Sequence, residues 1–200
     1  MIEDLAAETA ALRALVDPLA DADWRLATPA PGWIIADQVS HLAYFDEAAL
    51  TSATDPDAFL AELARLAASG AVDADVIAAQ YRHLTPAELR DWFGRTRSRL
   101  LSIFAELDPA TRVPWFGPSM SVASSVTARL METWAHGQDV LDTMGIARLT
   151  TARMRHVADL GIRALRYTYT VNGLPVPRIH VAPSMAVANW RLPALPAAAC

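Results

Sequence analysis

The sequence predicts an all-α protein, a helical bundle with a short irregular or β-forming tail. Three observations carry that reading. Apolar residues recur at three- and four-residue spacing over several stretches of bundle length. Prolines fall between those stretches. The composition, 53% hydrophobic against 20% charged, suits one well-filled core in 200 residues.

Residues 2 to 16 set Leu5, Leu12, Leu15 and Val16 among alanines, a composition that favours helix, and Pro18 closes the stretch. Thr28-Pro29-Ala30-Pro31-Gly32 is punctuated as a loop. A second helix is predicted from about Trp33 to Leu50, with Ile34, Ile35, Leu42, Phe45 and Ala49 on one side. The loop around Thr54-Asp55-Pro56-Asp57 leads into a shorter helix ending near Gly70. Thr85-Pro86-Ala87-Glu88 supplies a cap, a first-turn proline and a glutamate three residues on, and starts a helix running to about Leu107. Trp115-Phe116-Gly117-Pro118 reads as an aromatic loop. Another helix spans about Ser121 to Met144, stopped by Gly145, and the last runs from about Thr151 to Tyr169. Residues 1–172 are assigned to one bundle of four main helices. Residues 173–200 form the tail, where only Arg178-Ile179-His180-Val181 has a strand-like pattern.

Charge and composition exclude several function classes. All 17 basic residues are arginine, which removes Schiff-base chemistry, a phosphate-loop lysine and a lysine base together. Residues 1–80 hold 14 acids and 3 arginines, whereas residues 81–200 hold 8 acids and 14 arginines. A net charge of −5 with no basic cluster argues against nucleic acid as a partner. The arginine-rich second half suits an anionic small molecule. No apolar run reaches the roughly 18 residues of a membrane span. The acidic start Met1-Ile2-Glu3-Asp4 lacks an export signal's basic region, so a cytoplasmic location is expected. The single cysteine, Cys200, leaves no disulfide framework and no cysteine nucleophile.

Few residues can carry chemistry. Glu132, His136 and Asp139 are spaced i, i+4, i+7 and share one stripe of one helix. A carboxylate and an imidazole one turn apart can grip one divalent ion, but a catalytic site takes three protein ligands and an open position. The third must come from another helix, and His41, at the edge of an apolar sector, is the best candidate. The same spacing also describes a solvated ion pair, and a histidine beside apolar neighbours also describes a hydrogen-bonded core residue. His83 reads as a loop residue, His156 sits among arginines, and His180 falls on the strand-like segment.

The segment from Pro31-Gly32-Trp33 through Asp37-Gln38-Val39-Ser40-His41-Leu42 to Phe45-Asp46 resembles the signature G-W-(T/S)-x-x-(D/E)-(Q/L)-(V/L)-x-H-(L/V) of the DinB-like superfamily. It is more closely similar to the mycothiol-dependent maleylpyruvate isomerase branch of actinobacteria, an origin that the all-arginine usage also suits. The second signature of that branch, E-x-W-x-H-x-x-D, is matched in part by Glu132, Trp134, His136 and Asp139. The resemblance covers roughly residues 1–170. It implies a DinB-like four-helix bundle with His41, Glu132 and His136 as ligands of zinc or nickel, and Asp139 orienting an imidazole N–H from behind. It further implies mycothiol as a co-substrate whose thiolate attacks an electrophilic small molecule, in an isomerase or a transferase. Isomerases of that branch carry a further C-terminal α/β domain, of which residues 173–200 are a candidate remnant.

Tyr44, Asp46, Trp134 and Gln138 are expected in the pocket from their places on the same two helices. Arg82, Arg129 and Arg163 are candidates for gripping a carboxylate. Two alternatives stand beside the thiol-dependent enzyme: a metal-dependent hydrolase in which the open position activates water, and a non-catalytic bundle that holds a small molecule. A homodimer paired through an exposed helix face is a further expectation.

Overall fold

The computed structural model describes residues 1–70 and 72–177; the strand-like segment 178–181 and Cys200 lie outside the described residues. Helix α1 (Ile2–Val16) leads through a short 3-10 turn (Asp23–Arg25) into α2 (Ile35–Thr54). There follow α3 (Pro56–Ser69), α4 (Ala74–Ala79) and α5 (Pro86–Glu106). A small antiparallel hairpin, β1 (Arg112–Val113) with β2 (Met120–Ser121), precedes α6 (Val122–Thr143) and α7 (Met154–Val171). In the hairpin Arg112 pairs with Ser121 and Val113 with Met120. Among the described residues no helix is long and apolar enough to cross a membrane.

The bundle is a ring of α1, α6, α2 and α5, each packed on the next, with α7 against α6 and with α3 and α4 against α2. This is the all-α bundle that the periodicity predicts. Its helix starts follow from local chemistry. At α5 the Thr85 hydroxyl accepts from the Glu88 backbone N–H (3.3 Å), and Glu88 accepts from that of Thr85 (2.7 Å). At α3 the Asp55 carboxylate accepts from Ala58 N–H (3.0 Å) and Pro56 takes the first turn, so one residue separates α2 from α3.

Helix α2 starts two residues later than the spacing predicts, because the chain folds back before it. Thr28 N–H donates to Trp33 O (2.8 Å) and Ile35 N–H to Leu26 O (3.1 Å), with Gly32 at φ +81° making the turn. Asp37 then caps α2 by accepting from Ile34 N–H (2.9 Å). Trp33 is thereby held outside the helix. The aromatic loop is the turn between β1 and β2, and α4, six residues long, is too short to show a helical period.

Two apolar clusters fill opposite ends of the bundle. One gathers Leu12, Val16, Trp24, Ile35, Leu42, Phe93 and Val140; the other gathers Leu5, Leu50, Leu100, Phe104, Val126 and Leu130. Burial of each such side chain contributes about 1.5–3 kcal/mol. Between the two clusters lies a polar layer. Arg97 and Asp46 form a fully buried pair there, Nε to Oδ2 at 2.6 Å and Nη2 to Oδ1 at 3.1 Å. Arg97 Nη1 also donates to the hydroxyls of Thr9 and Thr133. Those hydroxyls donate in turn to Leu5 O and Arg129 O.

Candidate metal centre

The other half of the polar layer is built by α2 and α6. His41 comes from the middle of α2, and Glu132 and His136 sit one turn apart on α6. One ligand atom from each lies within 4.8 Å of the other two. His41 Nε2 stands 3.4 Å from Glu132 Oε2, and His136 Nε2 stands 3.2 Å from the same oxygen. Ligand atoms about 2.0–2.2 Å from one ion in tetrahedral array are about 3.3–3.6 Å apart. These two distances fit a divalent ion.

The tautomers fit it too. The Gln38 amide donates through Nε2 to the Thr28 hydroxyl (2.9 Å) and interacts with the Asp139 carboxylate, which turns its carbonyl oxygen toward His136. Thr28 is free to accept because its own proton goes to Trp33 O (3.0 Å). His136 Nδ1–H therefore donates to Gln38 Oε1. In the neutral imidazole this leaves the Nε2 lone pair facing the Glu132 oxygen, two acceptors head to head. Either a proton on Nε2 or a metal cation between the two atoms resolves the conflict. His41 Nδ1 is buried with no hydrogen-bond partner.

Electrostatics prepare the same ligand states. Burial pushes the His41 imidazole below its ordinary range, against the opposing pull of Glu132, and favours the neutral, ligating form. Burial pushes the Glu132 carboxyl up, but its contacts with both imidazoles and the Arg129 charge outweigh this and hold it well below the usual carboxylate range. Asp139 is pushed up by its burial, with His136 and Gln38 pulling the other way.

Aromatic rings wall the cluster. Trp33 stacks on His136 with ring centres 5.6 Å apart, and Phe45 lies against His41 at 4.5 Å. Trp115 and Phe116, from the hairpin turn, pack on Phe45 at 6.2 and 5.3 Å. The Trp33 indole N–H donates to Asp75 of α4 (2.7 Å), so α4 fixes that ring.

The sequence-predicted site residues separate into two groups. His41, Glu132 and His136 converge, and Arg129 joins them, its Nη2 4.0 Å from Glu132 Oε1. Asp139 does not itself receive the His136 N–H; Gln38 does, and Asp139 stands one step behind it. Asp46 is fully buried against Arg97 and turns away from the cluster. Tyr44 lines a groove between α2 and α3 with Glu47, Phe59 and Glu62. Trp134 and Gln138 face the start of the α6–α7 connection, where Arg148 lies over the Trp134 ring and donates to Gln138 Oε1 (2.7 Å). Arg82 is held by Asp37 and Gly32 O, where it secures the turn before α2. Arg163 is exposed on α7 and donates to Asp159 O (3.3 Å).

Gln38, Trp33 and Trp115 belong to the site without having been singled out by spacing. Gln38 was detectable: it precedes His41 by three residues and so shares its face of α2.

Fold and cluster together define a DinB-like helical bundle with a two-histidine, one-carboxylate centre between two of its helices. The chain belongs to the mycothiol maleylpyruvate isomerase N-terminal domain family, whose model matches residues 5–141. An uncharacterised protein of Mycobacterium tuberculosis, found in two strains, is 44% identical over 176 residues, covering 88% of this chain and 68% of the relative. Among solved structures, a mycothiol-dependent maleylpyruvate isomerase and its histidine-to-alanine mutant match with a TM-score of 0.64. They are 16% identical to this chain and the match covers 87% of it and 71% of theirs, a likeness of fold.

Proposed function

We propose that the protein is a divalent-metal-dependent enzyme that uses a low-molecular-weight thiol, mycothiol, against an electrophilic small molecule, as an isomerase or a transferase. The observation that carries the reading is the meeting of His41 Nε2, His136 Nε2 and a Glu132 oxygen within 4.8 Å. Membership of the family supports the thiol, as does the name of the solved relatives. Zinc or nickel held there would act as a Lewis acid that lowers the pKa of a thiol at an open position.

The chain's own residues set the conditions for that chemistry. His41 and His136 are neutral donors and Glu132 contributes one negative charge, so a divalent centre keeps a net positive charge. Gln38 holds His136 in the ligating tautomer. Trp33 and Phe45 cover the imidazoles and keep water from that side, while the Glu132 side chain, 26% exposed, marks the open side. In an isomerisation the sulfur bonds to one carbon of an activated double bond, the resulting single bond rotates, and the carbon–sulfur bond breaks to return the thiol. In a transfer the carbon–sulfur bond remains and the neighbouring carbon takes up the proton that the thiol lost.

The test is a thiol-dependence assay on zinc-loaded and metal-stripped protein, with mycothiol and maleylpyruvate as the probe electrophile. Isomerisation or thiol consumption should require both metal and mycothiol, and should vanish in His41→Ala. Turnover without any thiol would contradict the reading and favour metal-activated water.

A further inference from the structure

Arg129 is an anomaly in the polar layer. It is only 4% exposed, yet Nη1 has no hydrogen-bond partner and the nearest carboxylate oxygen, Glu132 Oε1, stands 4.0 Å from Nη2. The faces of Phe45 and Trp115 lie 5.8 and 5.5 Å from its guanidinium carbon. Such rings attract the charge but accept none of the five N–H donors in the plane of the group. Burying a guanidinium with its donors unspent costs several kcal/mol unless something else meets them. Asp46 does not: its bonds go to Arg97, and it makes no ion pair with Arg129.

The charge balance points the same way. Arg97 and Arg129 bring two buried positive charges, and Asp46 and Glu132 bring two negative ones. With both imidazoles neutral, as ligation requires, a divalent ion leaves two positive charges uncompensated. A bound thiolate offsets one. The other calls for an anion from outside the chain.

We infer that Arg129 is the specificity-determining anchor of this site and binds a carboxylate of the electrophilic substrate through the unpartnered N–H donors of Nη1. The inference rests on the proposed function and deepens it, because it assigns the substrate a carboxylate and names the residue that reads it. Entry is from the Glu132 side, the exposed edge of the cluster. The flat guanidinium, packed on the adjacent Phe45 and Trp115 rings, whose centres are 6.2 Å apart, favours a planar, bidentate anion over a tetrahedral one.

Calorimetry with succinate, and with dimethyl succinate as its uncharged match, tests this on the zinc-loaded full chain in the absence of thiol. Wild type should prefer succinate by about 10- to 100-fold, the scale of hydrogen bonds to a charged group. Arg129→Met should lose that preference while keeping its zinc, and Arg163→Met, on the exposed face of α7, should retain it. Arg129→Lys keeps the charge without the fork and should give an intermediate preference, and it decides the matter if the methionine variant does not fold. A wild type indifferent to the two ligands overturns the inference, as does either Arg129 variant with the wild-type preference. So does an Arg129→Met protein that loses zinc together with succinate, because Arg129 would then act only by positioning Glu132. The assay contains no thiol, so a failure of thiol dependence leaves its result standing.

Discussion

The two halves of the polar layer use the same materials to opposite ends. In one, Arg97 and Asp46 meet in a bidentate pair, two threonine hydroxyls complete it, and every nitrogen of the guanidinium has a partner. In the other, on neighbouring residues of α2 and α6, His41 Nδ1 and Arg129 Nη1 have no partner. Both are enclosed, and both are charged. Only their hydrogen-bond satisfaction differs. A satisfied polar core fixes the mutual position of helices, whereas unspent bonding capacity in the same core is capacity for a ligand.

Breaking each half in turn sharpens the contrast. The largest effect is expected in the closed half: Arg97→Ala leaves Asp46 buried and unpaired and should cost about 3–5 kcal/mol in denaturant unfolding of the metal-free protein. A loss below about 1 kcal/mol would mean that water replaces the guanidinium and that the half is not closed. Next comes Gln38→Leu, which removes the acceptor of the His136 N–H and should weaken zinc binding by about 10- to 100-fold in a competition titration. Unchanged zinc affinity would show that the imidazole needs no orientation. The smallest effect is that of Glu132→Gln on the stability of the metal-free protein. The Glu132 carboxylate is held ionised by the imidazoles and Arg129, so the neutral amide should lower the unfolding free energy by about 1–2 kcal/mol at neutral pH as zinc binding is lost. Unchanged stability would show that these neighbours do not favour the carboxylate.

Much of this is legible in the one-dimensional chain. The four ring helices announce themselves through period, prolines and the Thr85–Glu88 box, and the Glu132–His136 pair through its one-turn spacing. What is hidden depends on partners far along the chain. The choice of Gln38 over Asp139 for the His136 N–H is made across 98 residues, and the capture of Asp46 by Arg97 across 51. Spacing places Asp46 near the site on α2, but burial gives it to the opposite face. Trp33 shows the limit for boundaries, since the backbone bonds of residues 26–35, not any propensity, exclude it from α2 and free it to cover His136.

The proposed function requires that His41, Glu132 and His136 hold one divalent ion. Elemental analysis of the full chain, equilibrated with zinc and then desalted, addresses it directly beside His41→Ala and His136→Ala variants. One zinc per chain is expected in the wild type and none in either variant, with the helical circular-dichroism signal intact in all three. Zinc retained by both variants, or absent from the wild type, would contradict it.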